Sequence, residues 1–239
     1  MAITKVTGAL LGNFAVGTNN IAIGDTALDS TNDGSPSLAI NNIAIGNAAL
    51  TANLGGANNV AVGSSALTTN TTGAGSTAVG MRALTANTTG SNNVSVGKDS
   101  LYANTTGSNN VAVGLSALQN NTTGEVNSAF GTTALFTNTT GYGNTAVGKN
   151  ALYTNNGNNN TAVGHEALEL NSTGSSNVAV GREALDASVT GDMNVAVGNM
   201  YNRLVAYRGK MMYHRSIVPG FGDSLETGRL TQVFFFDVK

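Results

Sequence analysis

The chain has 239 residues with a formal net charge of −2, only 10% charged and 5% aromatic residues, 31 glycines and no cysteine. So little charge gives no electrostatic reason to expect nucleic acid or an anionic membrane surface as a partner, and the missing thiols exclude a disulfide framework and thiolate metal sites. Large side chains are too scarce to fill a conventional core.

Residues 1–12 open the chain as "MAITKVTGALLG", with one lysine and an interrupted apolar stretch. This does not match a secretory signal, and no window of 18 apolar residues follows, so neither export by the chain's own signal nor membrane insertion is expected. The segment reads as an N-terminal cap.

Residues 13–198 are a repeat. Aligned on the glycine closing each "AVG" or "AIG", the chain gives Gly17, Gly24, Gly46, Gly63, Gly80, Gly97, Gly114, Gly131, Gly148, Gly164, Gly181 and Gly198. From Gly46 onward the spacing is 17 residues except for one step of 16, and a fixed short period of this kind is the signature of a solenoid. Before each glycine, Val or Ile alternates with Ala, which predicts a short two-faced β-strand. Four residues after it stands Leu, as in Leu67, Leu118 and Leu152, predicting a second short strand. Asn-Thr-Thr-Gly then predicts a turn whose Asn and Gly accept positive φ. Gly, Asn and Thr would occupy every face of a helical wheel, so helix is excluded.

One period is too small to fold alone. Burying two Val and one Leu stabilises by roughly 5–9 kcal/mol, whereas ordering each backbone residue costs about 1–2 kcal/mol. Stacking about ten coils at about 4.8 Å solves this by pairing each backbone with the coils above and below. On this reading Val and Leu form the core. The uniformly small Ala column, including Ala61, Ala78, Ala112, Ala146 and Ala179, is expected on the opposite face as the contact around a symmetry axis.

Irregular places are few. The step from Gly17 to Gly24 is a truncated first coil; the step to Gly46 predicts a bulge around Ser35-Pro36-Ser37; "TNNGNNN" shortens one turn. Lys98, Asp99, Lys149, His165, Glu166, Arg182 and Glu183 follow the glycines and are expected to pair between stacked coils as a surface ladder. No nucleophile accompanies them, no cofactor or metal set is spaced suitably, and no enzymatic activity is expected.

Residues 199–239 break the pattern. They hold seven of the thirteen aromatic residues and six of the eleven Lys and Arg residues, which marks a second module of short strands. It is expected to cap the last coil and hold the chains in register, or to serve as a tip whose Tyr207, Arg208, Tyr213, His214 and Phe221 contact a host glycan or protein.

The units "NNVAVGSSAL", "NNVSVGKDSL" and "SNVAVGREAL" resemble the head repeats of trimeric autotransporter adhesins of the YadA-like kind, and similar arrays look like parts of bacteriophage tail fibres. The resemblance implies an all-β, left-handed parallel β-roll, homotrimeric, with a small C-terminal β module. It implies a virion fibre that joins other virion structural proteins and serves host attachment from the particle's exterior. An adhesin head fragment and an ice-binding solenoid are the alternatives; the latter is weakened because the Thr pairs fall in a turn.

Overall fold

A computed structural model describes residues 19–29, 39–186 and 191–197, and the backbone of a further strand at 204–206. The expectations placed on residues 1–12, on the bulge around Ser35-Pro36-Ser37, and on Tyr207, Arg208, Tyr213, His214 and Phe221 lie outside these residues.

Among the described residues, twelve three-residue strands form one sheet in chain order. They are β1 (Ile21–Ile23), β2 (Ile43–Ile45), β3 (Val60–Val62), β4 (Thr77–Val79), β5 (Val94–Val96), β6 (Val111–Val113), β7 (Ser128–Phe130), β8 (Thr145–Val147), β9 (Thr161–Val163), β10 (Val178–Val180), β11 (Val195–Val197) and β12 (Leu204–Ala206). The first eleven pair in parallel and in register, so that Ala112 lies opposite Ala129 and Val113 opposite Phe130. β12 turns back and pairs antiparallel with β11. The molecule is a parallel β-solenoid of about nine regular 17-residue turns, and the described residues contain no α-helix.

Strands β1 to β10 each stop at a glycine for two reasons, seen at Gly114. Its φ is +139°, and a Cβ added there would lie 2.5 Å from the carbonyl oxygen of Gly131 in the next coil. Successive backbones touch at this corner, leaving no room for a side chain.

The second predicted strand is absent. Residues 115–120 form a turn in which left-handed conformations alternate, at Ser116 (φ 55°) and Leu118 (φ 50°). The alternation aims successive N–H groups in opposite directions along the stack. Ser116 donates to the Lys98 carbonyl of the preceding coil at 3.0 Å, and Leu118 to the Ala134 carbonyl of the following coil at 2.9 Å. A left-handed leucine costs roughly 1–2 kcal/mol. The burial of Leu118 and its inter-coil hydrogen bond are set against that cost.

Asn-Thr-Thr-Gly turns the chain by side-chain chemistry and not by positive φ. Neither Asn121 nor Gly124 is left-handed; that conformation falls on Asn109, at φ 60°. The buried amide of Asn121 donates to the Gly124 carbonyl at 3.0 Å and to Oδ1 of Asn104, one coil away, at 2.8 Å. A second buried amide, Asn110, donates to the same Gly124 carbonyl at 2.8 Å, while its Oδ1 accepts the backbone N–H of Asn127 at 2.9 Å. Two asparagine ladders thus run up the interior and meet at one carbonyl in most coils, Ser76 standing in for the second asparagine in one. Buried amides demand this completeness, because an unpaired one costs about 1–3 kcal/mol.

The interior inverts the expected arrangement of the strand. Ala112, Ala117 and Leu118 are fully buried, as are their counterparts in most coils, whereas Val111 and Val113 point outward. The two walls of the roll lie too close for a branched side chain on the strand, so the methyl of alanine fills the gap and Leu supplies the bulk.

Candidate functional site

With alanine inside, the sheet presents its larger apolar side chains to the exterior. The outward column at the residue before each glycine is Ile23, Ile45, Val62, Val79, Val96, Val113, Phe130, Val147, Val163, Val180 and Val197. Two residues earlier runs a parallel column of Ile, Val, Thr and one Ser. Phe130 is 42% exposed and Val147 38%. Eleven strands at about 4.8 Å, each about 10 Å long, make a strip of roughly 500 Å² in projection. Single exposed apolar residues need no explanation; a contiguous strip of this size is comparable to the largest apolar patch of an ordinary monomer, and such patches are often functional.

Ala61, Ala78, Ala112, Ala146 and Ala179, expected at the contact between chains, are each completely enclosed by their own chain. They have no surface to offer a partner. The alternation of large and small apolar residues located the face correctly as two-sided and assigned its sides the wrong way round.

The chain's chemical variety collects beside this strip. Of the thirteen charged residues described, all but Glu125 and Asp192 follow the strand-closing glycine by one or two residues or follow the core Leu by one. The expected pairing of charges between coils is seen at Arg82 and Asp99. Arg82 Nε donates to Asp99 Oδ1 at 2.6 Å and its Nη2 to Oδ2 at 2.8 Å, a two-point pair between adjacent coils. The hydrogen bond to Asp99, followed by the charge of that carboxylate, raises the Arg82 guanidinium above its ordinary value. The same guanidinium lies 5.3 Å from the centroid of Tyr102. By contrast Lys98–Asp99 at 3.6 Å, His165–Glu166 at 3.4 Å and Arg182–Glu183 at 2.7 Å join chain neighbours within one coil. Left-handed backbone at Asp99, Glu166 and Glu183 brings each acid beside the residue that precedes it. Phe136 and Tyr153 stack across two coils with ring centroids 5.0 Å apart.

The first Thr of each Asn-Thr-Thr-Gly turn is committed to the stack. Thr88, Thr105 and Thr122 each donate their hydroxyl to the corresponding carbonyl of the next coil at 3.0 Å. Among the described residues no group of three or more His, Asp or Glu is arranged to hold a metal ion, and no helix is long and apolar enough to cross a membrane.

No protein-family model matches the chain, and neither a curated protein nor a solved structure matches it.

Proposed function

We propose that the chain is the rod of a homotrimeric fibre, a structural part of a bacteriophage virion that serves host attachment, and that like chains associate through the outward Val and Ile strip. The observation that carries this reading is the regularity of that strip. An apolar surface repeating at about 4.8 Å along its whole length is complementary to a partner with the same repeat. A second copy of the chain supplies one.

The rest of the molecule agrees with a scaffold role. Its interior is held by backbone pairing and amide ladders, and its length grows by one increment for each coil. The resemblance of "NNVAVGSSAL" and "SNVAVGREAL" to adhesin heads and fibre arrays supports placing such a rod on the outside of a particle. Recognition of a host glycan or protein is assigned to the places where the pattern breaks, among them the C-terminal module.

Light scattering of the full chain tests the assembly. A particle of three times the 24.0 kDa chain mass is expected, and a monomer at micromolar concentration would overturn the reading. Immunogold labelling of particles from the source phage tests the placement; label on an extended appendage is expected, and particles free of label would remove it.

A further inference from the structure

The apolar strip repeats so closely that most of it does not fix how two like chains align. Sliding one chain by a single coil, about 4.8 Å, lays Val or Thr on Val at nearly every level. A face with this degeneracy is prone to slippage unless some feature distinguishes one register from the rest.

One strand provides that feature. β7 reads Ser128-Ala129-Phe130, whereas every other parallel strand carries Val or Ile at the position of Phe130 and Ile, Val or Thr at the position of Ser128. The bulkiest and the smallest outward side chains of the strip therefore stand on the same strand, two residues apart and on the same face. Phe130 is flanked in register by Val113 and Val147, and Ser128 by Val111 and Thr145.

We propose that Phe130 and Ser128 are a knob and socket that set the register between like chains, the ring of one chain seating over Ser128 of its neighbour at the same level. This rests on the homotrimeric reading above. In a rotationally symmetric ring, one column of each chain faces the other column of the next. Knob and socket then meet only when all chains stand at equal height. A slip of one coil drives the ring against Val111 or Thr145 of the neighbour and sets Ser128 against Val113 or Val147, which fill less of the socket. Overpacking and an underfilled socket are both destabilising, and a slipped chain meets them at both of its interfaces.

The absence of cysteine allows a single spin label to be placed at Thr123→Cys, on an exposed turn off the strand face. Pulsed dipolar spectroscopy on the refolded full chain then reads the distances between chains, with light scattering run in parallel. With Phe130 present a single narrow distance is expected. Phe130→Val restores the residue found in most coils, so the fold and the trimer mass are retained. The distance distribution is expected to broaden as chains shift by multiples of about 4.8 Å. The exchange Ser128→Phe with Phe130→Ser is expected to narrow it again. A narrow distance unchanged by Phe130→Val in an intact trimer would overturn the register role and leave the assembly standing, and an exchange variant that stays broad would also count against that role. A monomeric parent chain would overturn the assembly and the register role with it.

Discussion

At Gly114 the left-handed φ and the approach of the Gly131 carbonyl act together, so a single methyl has nowhere to go. Gly114→Ala is expected to cost more than about 3 kcal/mol, combining backbone strain of 1–3 kcal/mol with the collision, and loss of the cooperative thermal transition followed by circular dichroism would report it. The asparagine ladders make a second residue-level claim. Asn121→Ala leaves Oδ1 of Asn104 without the Asn121 amide and the Gly124 carbonyl with one amide donor in place of two. A loss of about 1–3 kcal/mol is expected in denaturant titration. The coil that carries β5 tests the same rule from the other side. Ser95 and Ser100 occupy positions that are alanine in the other coils, and their hydroxyls bond to each other, with Ser100 also donating to the Gly97 carbonyl. Ser95→Ala with Ser100→Ala recreates the neighbouring coils and is expected to fall within about 0.5 kcal/mol of the parent, whereas Ser95→Ala alone is expected to cost about 1 kcal/mol.

At the scale of the strand and its turn, inside and outside are distinguished by size. Ala112→Val forces two extra methyls between walls already in contact and is expected to destabilise folding by about 1–3 kcal/mol. Val113→Ala removes the same bulk from the exterior and is expected to leave the unfolding midpoint of an isolated chain within about 0.5 kcal/mol. Equal penalties in urea titration would contradict the assignment of faces. The period, the existence of each strand and its two-faced character were legible in Val-Ala-Val and in the recurrent glycine. The identity of the inner face was not, because hydrophobicity ranks Val above Ala and says nothing about the gap between opposing walls. The left-handed Leu118 was also hidden, since leucine rarely adopts that conformation and only the stacked neighbour at Ala134 reveals what its N–H gains. The role of Asn121 was visible as a turn residue, but its ladder with Asn104 depends on exact coil-to-coil register.

For the whole molecule, the inner and outer columns of the repeat differ. The interior of Ala, Leu and Asn makes each coil depend on its neighbours, while the exterior presents Val and Ile, the face proposed to join like chains. The functional reading follows from that separation, and the candidate surface was misread in the sequence because the correct columns were assigned to the core. Charged substitutions on the outer column test it most directly. Val96→Glu with Val147→Glu places two carboxylates on the strip without touching the buried columns, and desolvating them in an apolar interface is prohibitive. Light scattering together with circular dichroism on this variant is expected to show a soluble monomer of 24.0 kDa that keeps its β spectrum. A variant that keeps the parent's oligomeric mass would contradict the claim that like chains meet through the Val and Ile face.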